Sequence, residues 1–140
     1  ELQTPPSPVA NYIPVQQTGN LIYLSGQGPR DEEGNFITGK VGADISAEQA
    51  YDLSRNTAVN LISAMKSYLG SLERVVKIVK VFGMVNATSD FTDHPKVING
   101  CSDFFVEVFE DKGRHARSAV GMGSLTNNMA VEIEIIVEVS

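Results

Sequence analysis

The strongest pattern in the sequence is a long amphipathic segment between Ser46 and Gly70. Ser46 is followed three residues later by Gln49, the spacing of a capping box at the start of a helix. Apolar residues recur at helical spacing after it, which predicts a helix of about 23 residues with one buried side. The residues of this apolar stripe are Ala50, Leu53, Leu61, Ala64, Met65 and Tyr68. Gly70 is a typical residue for the end of such a helix.

Extended segments surround this helix on both sides. Alternating or β-branched patterns predict strands at residues 12–17, 21–25, 75–82, 118–122 and 130–139. A second helix is predicted from Pro95 to Gly113, with Val97, Ile98, Cys101, Phe104, Phe105 and Val108 on its apolar face. Strands and helices in this order favour an α+β fold in which two helices pack on one sheet. The length of 140 residues predicts a single domain over 1–140, with proline-rich residues 1–11 as an extended N-terminal segment.

Composition narrows the classes of partner. The net charge is −6, and lysine and arginine are scattered, which argues against binding to nucleic acid. Cys101 is the single cysteine, so no intrachain disulfide forms and a reducing compartment is expected. No apolar run approaches the length of a membrane span and no signal peptide is visible, so we expect a cytoplasmic protein with no membrane partner.

The most suggestive cluster of charged residues follows the second predicted helix. It reads Arg114-His115-Ala116-Arg117-Ser118-Ala119-Val120 and leads into a strand. An arginine held at the start of a strand offers a planar fork that matches a carboxylate. Glu132 and Glu134 lie on the last predicted strand, and if the two strands are neighbours, a cation and a carboxylate would together bind a small acid and position a water. The alternative from spacing alone is a surface ion pair of little energetic value.

Other familiar sites are absent from the sequence. It contains no Walker loop, Rossmann glycine fingerprint, Cys-x-x-Cys pair or His-Glu-x-x-His motif. His94 and His115 are the two histidines and are far apart in sequence, so we expect no metal site. Cys101 falls on the apolar face of the second helix, where a buried and inert thiol is expected.

A series of segments spread over nearly the whole chain carries a family resemblance. The segments are Thr18-Gly19-Asn20-Leu21-Ile22-Tyr23-Leu24-Ser25-Gly26-Gln27, Lys77-Ile78-Val79-Lys80-Val81, Val97-Ile98-Asn99, Ala116-Arg117-Ser118-Ala119-Val120 and Val131-Glu132-Ile133-Glu134. This series resembles the YjgF/RidA family, the Rid proteins that hydrolyse reactive enamines and imines. The resemblance implies a chorismate-mutase-like α+β domain, with two helices on one face of a mixed sheet. It also implies a homotrimer with clefts between subunits.

The resemblance also implies a set of site residues. Arg117 matches the arginine that grips the substrate carboxylate, and Glu132 matches the glutamate that orients the hydrolytic water. Positions that line the family's cleft are matched by Tyr12, Ser25 and Asn99. The tyrosine of one subunit is expected to face the arginine of its neighbour. The implied reaction converts 2-imino or enamine acids to 2-oxo acids and ammonia without a cofactor.

Three positions depart from the family pattern and leave the substrate range open. Ala119 stands where the best-known members often have cysteine, which excludes thiol chemistry but leaves a backbone N–H to help hold the carboxylate. Gly121 replaces a common glutamate, and the usual Leu-Pro is Leu125-Thr126. Two alternative functions remain at this stage. One is a metabolite sensor that binds small carboxylates without turnover, and the other is an endoribonuclease-type activity, which the acidic composition disfavours.

Overall fold

Five strands form one mixed sheet in the computed structural model, which describes residues 2–7 and 10–140. The strands are β1 (Val15–Thr18), β2 (Leu21–Gln27), β3 (Val75–Asn86), β4 (Ala116–Met122) and β5 (Val131–Val139). Their order in the sheet is β1-β2-β5-β3-β4. Only the β3–β4 pair is parallel, and the other neighbours are antiparallel. The mixed sheet expected from the sequence is therefore confirmed.

The sheet order corrects one expectation from the sequence. β4 carries Arg117 and β5 carries Glu132, and the small-acid site suggested by the sequence depends on these strands being neighbours. β3 lies between them and pairs with both. The parallel pairing with β4 uses Lys80 to Asn86, and four of these residues lie beyond residue 82, the predicted end of β3.

Helix α1 (Ala47–Leu69) is built as the sequence predicts. The hydroxyl of Ser46 accepts from the backbone N–H of Gln49 at 3.1 Å, and the Gln49 side chain accepts from the N–H of Ser46 at 2.8 Å. Gly70 ends the helix at a φ of +82°, in the left-handed region that glycine adopts without strain. Tyr68 was placed in the buried stripe and is instead exposed, with its hydroxyl donating to Gln17. Leu69 is buried in its place.

Helix α2 (His94–Phe109) packs across α1 and is shorter than expected. The predicted end at Gly113 is the end of a separate 3₁₀ turn, because Glu110 has a φ of +57° and breaks the α-helix. Gly100 marks the closest approach of the two helices, since a Cβ there would lie 2.0 Å from the carbonyl oxygen of Tyr51. Cys101 is fully buried, and burial raises the pKa of its thiol. The expectation of a buried cysteine is confirmed.

The core lies between the two helices and one face of the sheet. On β5, alternate residues Val131, Ile133, Ile135, Val137 and Val139 are all buried, as the alternating pattern predicted. The intervening residues of β5 point to the opposite face, which we call the open face because no described helix covers it. Apolar side chains on the open face are Tyr23, Phe82, Met84 and Ile136.

The ends of several elements differ from expectation. β1 begins at Val15 rather than at residue 12, since Pro14 lacks the N–H that a strand pair uses. β4 begins at Ala116, so Arg117 lies inside a strand. The N-terminal segment predicted over residues 1–11 has no regular structure at 2–7, and its residues 1, 8 and 9 lie outside the described residues. In the described part of the chain, no helix is long and apolar enough to cross a membrane.

Candidate active site

The candidate site residues separate into two groups on opposite faces of the sheet. Arg117 pairs with Val81, which pairs with Ile135, and both partners are buried beneath the helices. Because residues opposite one another in a sheet share a face, Arg117 lies on the helix-covered face. Glu132 pairs with Met84 on the open face. The spacings of strands and residues place the two Cα atoms about 14 Å apart, so one small acid does not touch both side chains of the same chain.

Contacts with α2 fix the position of Arg117. Its Nη1 donates to the hydroxyl oxygen of Ser102 at 3.0 Å, and its Nη2 donates to the carbonyl oxygen of Pro95 at 3.1 Å. Asn99 lies four residues after Pro95 and three before Ser102, so it shares the side of α2 that holds the guanidinium. Ala119 is two residues further along β4 and points to the same face. Three of the six predicted residues, Arg117, Asn99 and Ala119, therefore form one group.

No acid among the residues that the structure describes neutralises the charge of Arg117. None of the ion pairs among the described residues includes Arg117. Both of its observed acceptors are neutral oxygens, and the guanidinium has five N–H groups. A surface ion pair with Glu132 or Glu134, the alternative left open by the sequence, is not formed within the chain. Arg117 is therefore a cation that α2 fixes in position, and its remaining N–H groups can donate to an anion.

Behind Arg117 lies a histidine that the sequence marked only as a neighbour. His115 Nε2 lies 2.8 Å from the Ser102 hydroxyl, and its Nδ1 lies 2.6 Å from the carbonyl oxygen of Gly113. Burial lowers the pKa of His115, Arg117 lowers it further, and the bond to Gly113 partly offsets both effects. Ser102 was not predicted as a site residue. The signal for it was its spacing from Pro95, which puts both on the side of α2 that faces β4.

The other three predicted residues line one cavity. Tyr12, Ser25 and Glu132 border a space of about 480 Å³, together with Arg30 and Phe36. The Ser25 hydroxyl donates to the carbonyl oxygen of Ile13 at 2.7 Å. This bond ties the segment that carries Tyr12 to β2, so Ser25 shapes the cavity as well as lining it. Thr126, one of the departures from the family pattern, also lines this cavity.

Glu132 owes its position to a glycine. A Cβ on Gly26 would lie 2.1 Å from Oε2 of Glu132, so only glycine leaves room for the carboxylate. The pairing of β2 with β5 shifts by one residue between Leu24 and Gln27, and this bulge contains Gly26. Burial of Glu132 raises the pKa of its carboxyl, and the nearby charge of Glu134 raises it further. Glu132 is therefore a half-buried carboxylate that takes up a proton more readily than an exposed one.

The side chain of His94 explains why position 121 is a glycine. A Cβ at Gly121 would lie 2.5 Å from Nε2 of His94, so the imidazole ring occupies the space that a larger residue would need. Both residues border a second cavity of about 490 Å³, which also includes Lys40 and Thr88. The departure from the family pattern at this position is thus coupled to the histidine at the start of α2.

The fold defines the class of this protein as an α+β domain with two helices on one face of a mixed sheet. A model of the family described as "YjgF/chorismate mutase-like, putative endoribonuclease" matches residues 1–138. The chain therefore belongs to the YjgF/chorismate mutase-like family, as its sequence indicated.

Individual relatives agree with this assignment. Protein TCP17 of Trypanosoma cruzi is 37% identical over 96% of this chain and 84% of its own length. A protein of Dermatophagoides farinae named 2-iminobutanoate/2-iminopropanoate deaminase is 32% identical, over 94% of this chain and 88% of its own. Among solved structures, protein Atu1372 of Agrobacterium tumefaciens, of unknown function, superimposes with a TM-score of 0.89 at 40% identity. That match covers 93% of this chain and 83% of the other.

Proposed function

We propose that this protein hydrolyses reactive 2-imino acids and their enamine forms, such as 2-aminoacrylate, to 2-oxo acids and ammonia. The observation that carries the proposal is the held but unneutralised guanidinium of Arg117, which suits a substrate carboxylate. The similarity to a deaminase of 2-iminobutanoate and 2-iminopropanoate supports the same substrate class.

The active site is composed from two copies of the chain in this proposal. Arg117, Asn99 and the backbone of Ala119 come from one copy, and Tyr12, Ser25 and Glu132 come from the next. Support comes from the opposite faces on which the two groups lie, because neither group reaches the other within one chain. The apolar side chains of the open face give the copies a surface on which to associate.

We further propose that the copies form a closed homotrimer. A contact that joins the Arg117 side of one copy to the Glu132 side of the next uses two different surfaces, and such contacts form a ring when the rotation from copy to copy closes. Three copies would contain three equivalent sites. The number of copies in this ring, three, is the number that the family resemblance implies.

The chemistry follows from the two charged groups. Arg117 holds the carboxylate and so fixes C2 of the imine beside a water that Glu132 contacts. Glu132 accepts a proton from the water as the water oxygen bonds to C2 and the C=N π electrons move to nitrogen, and Glu132 then gives that proton to the nitrogen, which completes the carbinolamine. The proton of the new hydroxyl passes to the amino nitrogen as the C–N bond breaks, which leaves the 2-oxo acid and ammonia. Placement of the water and the imine accounts for most of the acceleration, since imines also hydrolyse without an enzyme.

The first test is the rate at which the protein hydrolyses 2-aminoacrylate. A pyridoxal-phosphate dehydratase generates the enamine from serine, and pyruvate release is followed with and without the protein. We expect Arg117→Ala to lower kcat/KM by about 100-fold or more, because it removes a charge-assisted fork. Arg114→Ala is the matched control, since Arg114 is exposed and pairs with Asp111. Arg30 also lines the cavity, so a loss confined to Arg30→Ala would refute the assignment to Arg117.

A mixing experiment tests the composite site directly. Arg117→Ala and Glu132→Gln are each inactive in the proposal, but a mixed ring contains an interface with both native residues. Equal amounts, unfolded and refolded together, should recover about one quarter of wild-type activity if copies combine at random. No recovery in rings shown to be mixed would place both residues in the same site of one chain, contrary to the proposal.

A metabolite sensor is the competing function, and the same assay separates it. A sensor would bind pyruvate through Arg117 and be stabilised against heat by it, but would release no ammonia. Binding without turnover by the wild type would therefore replace the hydrolase proposal with a sensor.

A further inference from the structure

A chain of hydrogen bonds leads from Arg117 through Ser102 to His115. We infer that Ser102 and His115 are positioning residues for Arg117, and that the neutral form of His115 is the one that holds the guanidinium in its binding position. The inference rests on the proposed function, in which Arg117 binds the substrate carboxylate. Neither Ser102 nor His115 touches the substrate, so both act through the arginine.

The direction of each bond follows from what its atoms can donate. The carbonyl oxygen of Gly113 only accepts, so Nδ1 of His115, at 2.6 Å, carries a hydrogen. In the neutral ring Nε2 is then an acceptor, and the Ser102 hydroxyl donates to it at 2.8 Å. The hydroxyl hydrogen is therefore turned away from Arg117. The lone pairs of Ser102 Oγ face Nη1 of Arg117, which donates at 3.0 Å.

Protonation of His115 breaks this sequence of donors and acceptors. Both ring nitrogens then carry hydrogens, so Nε2 has to donate to Ser102 instead of accepting from it. Two cations, the imidazolium and the guanidinium, would converge on one hydroxyl oxygen. Arg117 would keep the carbonyl of Pro95 as an acceptor but lose the orientation that Ser102 imposes.

The surroundings of His115 contain no described acid that would compensate its charge. Its ring edge packs against Phe105, with centroids 6.1 Å apart, and Arg117 is the charged group that acts on it. The acids of α2 are engaged elsewhere: Asp103 accepts from Tyr51 and Glu107 pairs with Arg55, both on α1. On the 3₁₀ turn before His115, Asp111 pairs with Arg114, and Glu110 and Lys112 are exposed. On β3, Lys80 pairs with Ala116 and points to the open face.

The test measures pyruvate binding to the intact protein as a function of pH. Pyruvate is a stable 2-oxo acid whose carboxyl is ionised from about pH 5 to about pH 8, across the titration range of histidine. The variants are Ser102→Ala, which removes the shared hydroxyl, and His115→Gln, whose side-chain oxygen accepts a hydrogen bond without titrating. Ser67→Ala, an exposed helical serine, and His94→Gln, which removes the other histidine, are the matched controls.

The expected pattern separates positioning from mere structure. Wild-type affinity should fall as the pH is lowered through the pKa of His115, and so should that of both controls. Ser102→Ala should bind about tenfold more weakly at neutral pH, the effect of one lost hydrogen bond to a charged group, and should lose the pH dependence. His115→Gln should bind as the wild type does at neutral pH and show no weakening in acid.

Three other outcomes overturn one claim or the other. Binding that depends on Arg117 but stays constant with pH, and is unchanged in Ser102→Ala, refutes this inference and leaves the proposed function standing. A wild type that neither binds pyruvate nor hydrolyses 2-aminoacrylate refutes the proposed function and this inference with it. NMR of the imidazole nitrogens gives a readout without ligand: an Nδ1 that carries no hydrogen in neutral His115 contradicts these bond directions.

Discussion

The contact between Gly26 and Glu132 allows a prediction that isolates the carboxylate from the rest of the site. In Gly26→Ala the added methyl group would lie 2.1 Å from Oε2 of Glu132. Gly26 is not among the glycines with a positive φ, so alanine fits the backbone there without strain. The substitution therefore acts mainly by displacing the carboxylate.

The size of the displacement gives the size of the effect. Ordinary contact of a Cβ begins at 3.4 Å, so the carboxylate oxygen has to retreat by about 1.3 Å from its 2.1 Å position. A misplacement of about 1 Å in a catalytic group costs on the order of 100-fold in rate. We expect kcat for the hydrolysis of the enamine to fall by about 100-fold. KM should change little, because in the proposed site the substrate carboxylate is bound by Arg117 of the neighbouring copy, which Gly26→Ala does not alter.

Pyruvate release over a range of enamine concentrations measures both constants. Gly123→Ala is the matched control, since a Cβ at Gly123 meets nothing within 4 Å and its φ is not positive. Thermal unfolding of both variants checks that the fold is retained.

A double-mutant cycle with Glu132→Ala, measured on the residual rate, decides whether the mechanism is steric. Alanine removes Oε2, Cδ and Cγ of Glu132, the three atoms that a Cβ at Gly26 would crowd. We expect Gly26→Ala to add little to the loss caused by Glu132→Ala alone, which makes the two effects strongly non-additive. A loss of about 100-fold from Gly26→Ala in both backgrounds would refute the reasoning.

Three further predictions concern charge and packing. Arg117→Lys should raise KM by about 10- to 100-fold, because one ammonium cannot replace the planar fork of a guanidinium. An unchanged KM in the hydrolysis assay would contradict this prediction. In the proposed mechanism Glu132 acts when ionised. Burial and the charge of Glu134 raise its pKa, so activity should fall as the pH drops through that raised value. Glu134→Gln removes one of these causes and should move the acid limb of the rate profile to lower pH, and an unmoved limb would exclude this coupling. Gly100→Ala places a Cβ 2.0 Å from the backbone oxygen of Tyr51 and should lower the free energy of unfolding by about 2 kcal/mol, measured by urea denaturation. A variant as stable as the wild type would show that the two helices separate at little cost.

The elements of the fold were predictable where one periodicity dominated the local sequence. The capping box at Ser46 and the alternation along β5 each involve neighbouring residues only, and both predictions are confirmed. The end of α2 was predicted wrongly because Glu110 adopts a positive φ. No pattern of residue types predicts that conformation for a glutamate. Tyr68 was assigned to the core on spacing, although its hydroxyl finds a partner only in the folded protein.

The candidate site was less accessible to sequence reasoning, for a topological reason. Arg117 and Glu132 were linked by the short separation of their strands in sequence, whereas the sheet inserts β3 between them and turns their side chains to opposite faces. Ser102 and Gly26 carry no charge that would attract notice. Their importance depends on long-range pairings, of α2 with β4 and of β2 with β5, and these exist only once the chain is folded.

The placement of Arg117 and Glu132 on opposite faces has a consequence for how the amount of protein governs its output. If a site is complete only where two copies meet, activity follows the fraction of chains that are assembled, and that fraction follows mass action. Specific activity would then fall on dilution below the dissociation constant of the assembly while every chain stays folded. In a cell that makes little of this protein, the total activity would fall by a larger factor than the amount of protein does.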